Sequence, residues 1–280
     1  MLHATLDLAR RIDRAEIDFC AMAAGAGTPD GVASFEVAGG RALCAFAGSP
    51  LNKVLGLGLG VPVEDDDLDA IEAFYDERGI PVQIELCPLA ASGLSSRLTK
   101  RGYQLQAFEN RLARALGTEG PPHVAAGVEA CLAPQLRVSR AAPEQDDLWL
   151  RIVATGFAAA DGSGAALSPP PPDLVDRIRN VMAGFVHPDF ERLLVWVDGE
   201  PAGAACTYVI DGVLGIAGTS TLPAFRRRGV QQAVVQHALR GACGRAELAM
   251  ATVEPGSISQ RNFERFGFQV VYTRAIFVLD

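Results

Sequence analysis

Two periodicities of apolar and polar residues share this chain, one helical and one of alternating strand type, and the order in which they succeed each other occurs twice. "LSSRLTKRGYQLQAFENRLAR" (94–114) and "SQRNFERFGFQVVYTRAIFV" (259–278) share one layout: a helix that ends in a glycine, an aromatic residue, then alternating strand residues. Aligning Gly102 with Gly267 sets an offset of 165 residues. Carried backwards without a gap, that offset sets "VQIEL" (82–86) beside "ELAMA" (247–251) and the helix "DDLDAIEAFYDER" (66–78) beside "QQAVVQHALRGAC" (231–243). Further back, "NKVLGLGL" (52–59) meets "AGTSTLPA" (217–224), both strand-like and rich in small residues. Each copy reads strand, loop, helix, strand, helix, strand, which predicts two related α/β lobes in tandem.

The remaining pattern fits that plan. "MLHATLDLARRIDRAEIDFC" reads as an amphipathic helix with charges throughout. "ALGTEGPPHVAAG" (115–127) has the Pro/Gly/Ala composition of a linker between the lobes. Beyond it, "LRVSRAA" (136–142) alternates as a strand, and Pro143 followed by acidic residues marks a helix start. "DGSGAALSPPPPD" (161–173) reads as a stiff, polar loop of the kind that lines a site. Residues 192–221 form two hairpins, with turns at Asp198-Gly199 and Asp211-Gly212.

Composition narrows the class. Hydrophobic residues make up 49% of the 280 and charged residues 21%, enough apolar material for two cores. A formal charge of −8 argues against a general nucleic-acid binder. The start does not read as a secretory leader, and no apolar run reaches the length of a membrane span, so a cytoplasmic protein without membrane contact is expected. Cys20, Cys44, Cys87, Cys131, Cys206 and Cys243 are scattered without a CxxC pair and read as buried, reduced thiols. His3, His123, His187 and His237 form no pair with metal spacing, so no metal is expected.

Against this acidic background, "TLPAFRRRGVQQAVVQHALR" (221–240) places Arg226, Arg227 and Arg228 before Gly229 at the mouth of an apolar helix. A helix start is already a positive pole, so arginines there are locally unfavourable unless an anion sits on it. A strand ending near Leu222 and a helix beginning near Gly229 would leave the N–H groups of Arg227 to Gln231 unpaired, a ready phosphate site, with Gly229 allowing close approach. A Walker loop lacks its GK[ST] here, and the GxGxxG dinucleotide pattern is also missing.

Arg226-Arg227-Arg228-Gly229-Val230-Gln231 resembles the [QR]-x-x-G-x-[GA] acyl-CoA loop of the GNAT acetyltransferases, with Gln231 where a small residue is usual. The neighbourhood agrees from about Leu136 to Asp280: a four-strand meander, the loop, a helix, the strand "AELAMATV", then "SISQRNFERFGF" and a final hairpin. The resemblance implies an α/β fold of α+β type, two tandem GNAT-like lobes, each a mixed, mainly antiparallel sheet flanked by helices. The expected divisions are a degenerate lobe without a CoA loop at 1–117, a linker at 118–135 and a GNAT acetyltransferase domain at 136–280. In the first lobe, Val61-Pro62-Val63-Glu64-Asp65-Asp66 occupies the place of the arginines and glycine; acidic residues cap a helix well but repel a diphosphate.

What the resemblance implies for chemistry is direct attack by an acceptor amine on the thioester of acetyl-CoA, the co-substrate, with no metal. Backbone groups of Ser220, Thr221 and Leu222 would pair with the pantetheine arm and polarise the carbonyl. The phosphates would meet Arg226, Arg227, Arg228, Gly229, Val230 and Gln231, with Asn262 as a further CoA contact. A base must take the ammonium proton; Glu254, just past a cleft strand, is the candidate, with Asp161 second. The slot where the family often has a tyrosine to protonate the thiolate holds Phe263, and the usual asparagine slot holds Gly256. Tyr272 could reach the cleft from the last hairpin, but an aromatic residue on that strand is more often core. The partner expected is a small-molecule amine, its pocket shaped by the prolines of 168–172; the oligomeric state is open. The competing reading is a non-catalytic acyl-CoA-binding sensor or scaffold.

Overall fold

A computed structural model describes residues 2–24, 33–117, 135–158, 175–176, 178–180 and 188–280. The first repeat supplies α1 (Leu6–Ala24), β1 (Ala33–Val37), β2 (Gly40–Cys44), β3 (Lys53–Leu55), α2 (Asp65–Asp76), β4 (Val82–Leu86), α3 (Leu94–Lys100) and β5 (Gln104–Ala115). The second supplies β6 (Leu136–Arg140), α4 (Asp146–Ala158), β7 (Phe190–Val197), β8 (Glu200–Ile210), β9 (Val213–Thr221), α5 (Val230–Gly241), β10 (Leu248–Val253), α6 (Ile258–Arg265) and β11 (Gln269–Leu279). The offset of 165 carries α2 residue for residue onto α5, and β5 onto β11 to within one residue. Both hairpin turns are as the sequence predicts, with Asp198 at φ 54° and Asp211 at φ 46°, each followed by a glycine with positive φ. Two details differ. Of 52–59, only Lys53–Leu55 is strand, because Gly56 and Gly58 turn the chain in the left-handed region; and no final hairpin exists, since β11 runs as one strand.

The strands join in one sheet in the order β1-β2-β3-β4-β11-β5-β10-β9-β8-β7-β6. The centre of this order reveals an exchange. β5, the last strand of the first repeat, pairs antiparallel with β10 of the second, while β11 pairs antiparallel with β4 of the first. β5 and β11 also pair with each other, from Gln269↔Ala113 to Val278↔Gln104. Each lobe is completed by the other's final strand.

Helices cover both faces. α1 and α4 lie on one face over a core shared by both lobes, in which Ile12 and Ile17 join Trp149, Leu194 and Val271. Phe19 of α1 stacks on Tyr208 of β8 at 4.0 Å, and the Trp149 indole N–H donates to the Ala205 carbonyl at 2.9 Å. On the opposite face α2 packs with the first lobe's strands and α5 with the second's.

Where β5 meets β11, α1 covers a cluster of buried charges. Arg111 and Arg274 are each 1% exposed. Glu16 of α1 lies 2.5 Å from Arg111 and 2.8 Å from Arg274. Arg274 also meets Glu85 at 2.6 Å and Glu109 at 3.0 Å, and Lys53 meets Glu85 at 3.2 Å. The Tyr272 hydroxyl donates to Asp13 at 2.6 Å, so Tyr272 is a core residue, as its strand position predicts. Burial alone would raise the Glu16 pKa, but the charges of Arg111, Arg274 and Lys53 outweigh it and hold the carboxyl well below its usual 4.5. Such a cluster survives burial only because each charge has a partner; removing one leaves another uncompensated.

Glu16→Gln is therefore expected to lose about 3–5 kcal/mol at neutral pH in urea denaturation. Because the folded-state pKa is depressed, this contribution is present above the unfolded value and fades as pH falls below 4.5, so wild type and variant converge in acid. Asp13 acts oppositely: burial raises its pKa against the pull of Arg111, and its contribution declines as pH rises past 3.8.

Candidate functional site

β9 and β10 run parallel but pair only from Leu248↔Val213 to Met250↔Gly215. Beyond that, Ile216–Thr221 and Ala251–Val253 part, leaving a V-shaped opening in the sheet. A bulge in β9 opens it further: Ser220 faces Ala204 and Ala217 faces Cys206, so Gly218 and Thr219 together oppose Ala205, with Gly218 at φ 60°. The Leu222 N–H donates to the Ala202 carbonyl at 2.9 Å and so points to β8. By strand alternation, Thr221 turns its own N–H and C=O to the open side. The Ser220 hydroxyl is buried and donates to the Val153 carbonyl of α4 at 3.3 Å. Of the three expected backbone contacts, Thr221 is thus the one that faces the opening.

The arginine loop closes the wide end of the V. Pro223–Phe225 forms a short 3-10 turn, and Gly229, at φ 81°, caps α5. Arg227 is a non-glycine residue at φ 62°, a backbone state that functional loops favour. The Arg226 and Arg228 N–H groups turn inward, to Pro223 at 3.2 Å and Phe225 at 3.4 Å. That corrects the expectation of an unbroken open run from Arg227 to Gln231. The N–H groups of Arg227, Gly229, Val230 and Gln231 have no partner among the described residues. Since glycine offers no side chain to cap them, four donors face outward at the positive end of a helix. All three arginines are exposed. Arg228 is anchored to Asp198 in the β7–β8 turn at 2.6 Å, and its guanidinium lies 5.7 Å from the Phe225 ring centre.

Other expected residues divide. Asn262 of α6 comes to the helix mouth and donates to Gln231 at 2.7 Å, while Gln231 donates to Ser259 at 2.7 Å, so α5 and α6 are stitched together there. Glu254 is exposed directly after β10, on the opposite strand of the V from Thr221. Phe263 is 1% exposed and packs edge-on against Phe268, in the core rather than the opening. Gly256 makes a left-handed turn and is held by Gln260 at 2.8 Å. His237 is half-buried on α5 and His3 is exposed. Asp161, His123, His187, Cys131 and the prolines of 168–172 lie outside the described residues. Cys20, Cys44, Cys87 and Cys206 are buried free thiols, as expected, but Cys243 is exposed. No group of three or more His, Cys, Asp or Glu able to hold a metal occurs among the described residues, and no helix there is long and apolar enough to cross a membrane.

One residue has no motif to announce it. Arg111, on the first lobe's exchanged strand, donates to the Thr252 hydroxyl of β10, and Asn110 beside it donates to Gln260 of α6 at 3.1 Å. The first lobe thereby braces one wall of the second lobe's opening. Only the exchange of strands places these residues there, and a strand's polar alternation does not say which lobe it will join.

The equivalent place in the first lobe is closed. α2 begins with Asp65, Asp66 and Asp67, and the Glu64 N–H donates to Asp67 at 2.8 Å. Arg97 fills the mouth, paired with Asp65 at 2.6 Å and hydrogen-bonded to the Val63 carbonyl. The two loops flanking that lobe's V are joined directly, Ala91 N–H to Gly58 carbonyl at 2.9 Å.

Residues 164–268 match the sequence profile described as the Acetyltransferase (GNAT) family. A GCN5-related N-acetyltransferase from Kribbella flavida shares the fold at 20% identity and TM-score 0.64, over 97% of this chain and 95% of that one. A tandem GNAT protein from the clavulanic acid biosynthesis pathway superposes at TM-score 0.57 and 13% identity, over 99% and 96% of the two chains. A GCN5-related N-acetyltransferase from Sphaerobacter thermophilus does so at 0.52 and 16%, over 81% and 71%. No curated protein matches the sequence. The C-terminal lobe is a GNAT-family domain, within a chain that has the tandem GNAT fold.

Gly229→Ala would place a side chain at φ 81° with its Cβ 3.4 Å from Leu136. It is expected to cost about 1–2 kcal/mol in urea denaturation, the penalty of a left-handed alanine.

Proposed function

We propose that the C-terminal lobe is an acetyl-CoA-dependent N-acyltransferase acting on the amine of a small molecule. The GNAT fold supports acyl-CoA-dependent acyl transfer in general; the observation that carries the finer reading is the set of outward N–H donors at Arg227, Gly229, Val230 and Gln231 beneath three exposed arginines. Fixed donors at a helix start suit a diphosphate, and guanidinium groups neutralise it. From there the V between β9 and β10 leads inward, and Thr221 offers one donor and one acceptor to an amide-bearing arm. Asn262 contributes through Gln231, whose side chain it holds. The first lobe, with an acidic, self-paired helix mouth, takes no CoA in this reading and serves as partner and wall. The divisions 1–117, 118–135 and 136–280 are proposed as its domain limits.

In the reaction an N–C bond forms and a C–S bond breaks. The acceptor ammonium must first lose a proton, and in this reading Glu254 accepts it directly or through water. Phe263 cannot protonate the thiolate; a thiolate leaves well enough without a fixed acid. Phe263 in the place of an acid is also what favours the second reading, an acyl-CoA-binding module without turnover.

Calorimetric titration of acetyl-CoA into wild type and an Arg227→Glu/Arg228→Glu variant tests the site. Micromolar-class binding by wild type is expected, weakened at least about 100-fold in the variant, since two charge-assisted hydrogen bonds at about 1.5–3 kcal/mol each are lost. Absent or unchanged binding would sink the proposal. Glu254→Gln should lower kcat for CoA release with a panel of amines by about 10²–10⁴-fold and leave acetyl-CoA affinity intact. Binding without release by wild type, whatever the amine, would select the non-catalytic module.

A further inference from the structure

A second groove lies in the N-terminal lobe, beneath α1 and away from the V. Two adjoining cavities, of about 330 and about 300 Å³, share Arg14, Ile17 and Gly39. α1 lines them with Arg10, Asp13, Arg14 and Ile17, spaced as one stripe of a helix. Much of the facing wall is main chain. Gly40 sits so tightly that an added Cβ would lie 2.2 Å from the Leu55 carbonyl oxygen, so no larger residue could leave that wall in place.

Its polar groups are incompletely used. Arg14 donates through Nε to Asp18 at 3.0 Å, and its terminal nitrogens have no partner among the described residues. Arg41 has a buried Nε without a partner, and its terminal nitrogen meets Glu36, also in the lining, only at 3.5 Å. Arg10 donates through Nε to the Leu59 carbonyl at 3.0 Å and is 3.6 Å from Asp7. Asp13, 1% exposed, accepts from Tyr272 on Oδ1, which also faces Arg111 at 4.0 Å, while its Oδ2 has no hydrogen-bond partner among the described residues. A buried polar atom left unpaired costs about 1–3 kcal/mol, and each such atom in a native protein calls for a reason.

The positions are ordered. Arg41 lines only the first cavity, Arg10 and Asp13 only the second, and Arg14 both. Two anionic ends, one per cavity, would each meet guanidinium N–H groups, and a hydroxyl or amine between them would satisfy Asp13. We propose that this groove binds a small dicarboxylate that carries a hydroxyl or amino group, held by Arg10, Arg14 and Arg41 with Asp13 reading the hydroxyl or amine. It is separate from the acyl-CoA site of the C-terminal lobe; in its own lobe it borders the counterpart of that site through Gly56 and Val61, while the helix mouth beyond is closed by Asp65 and Arg97.

The test uses the full chain and four probes: L-malate, L-aspartate, succinate and inorganic phosphate, each followed by calorimetry and thermal shift. Saturable one-to-one binding of malate or aspartate is expected, at least tenfold tighter than succinate or phosphate. Arg14→Gln, at a side chain 60% exposed and so safe for folding, should weaken it at least tenfold while leaving acetyl-CoA titration unchanged. Asp13→Asn, if folded, should erase the preference over succinate. No saturable binding of malate or aspartate, or binding unaltered by Arg14→Gln, would overturn the proposal. Loss in Arg227→Glu/Arg228→Glu but not in Arg14→Gln would do the same by moving the anion to the arginine loop. Succinate or phosphate binding as tightly as malate would overturn the role given to Asp13.

Discussion

The pairing of β5 with β11 at the centre of the sheet is the constraint on which the rest of the molecule depends. Each is the last strand of its repeat, and each completes the other lobe's sheet. The charges carried there, Arg111 and Arg274, are buried and are compensated by Glu16 of α1, Glu85 of β4 and Glu109 of β5 itself. Desolvated charges tolerate few arrangements, so the cluster fixes both the register of the exchange and the seat of α1 across the two lobes. It also brings Arg111 and Asn110 of the first lobe to β10 and α6 of the second. The two lobes share one sheet.

On that shared frame the two repeats differ in the charge and openness of one helix mouth. α2 and α5 are superposed by the repeat residue for residue, yet α2 opens on three aspartates met by Arg97, whereas α5 opens on a glycine and three arginines. Helix dipoles are alike in both, so the side chains decide: the first mouth is satisfied internally, and the second keeps N–H donors without a partner among the described residues. The same contrast holds in the sheet. Between β3 and β4 a loop-to-loop hydrogen bond closes the V, and between β9 and β10 the bulge at Gly218 and Thr219 widens it.

Much of this was legible in the residues. The repeat, both Asp-Gly hairpin turns and the start of α5 near Gly229 follow from local turn and cap chemistry, which is written in a few adjacent positions. The strand exchange was not legible, because β5 and β11 carry the same alternating pattern and either fits either lobe. Nor were the buried charges: Glu16, Lys53 and Glu85 look like surface residues until α1 is laid over them. The inward N–H of Arg228 and the engagement of Leu222 with Ala202 depend on how the 3-10 turn at Pro223 is wound, which the arginine run does not encode. Gly56 and Gly58 read as strand residues but turn the chain, since the loop must pass close to Ala91.

The central claim is that one fold, used twice, presents an anion-binding mouth in the second copy alone. Amide hydrogen exchange of the full chain with and without acetyl-CoA tests it most directly. The account predicts slowed exchange at residues 227–231 and at Thr221, with residues 61–67 unchanged. Slowed exchange at 61–67, or none at 227–231 under saturating acetyl-CoA, would contradict it.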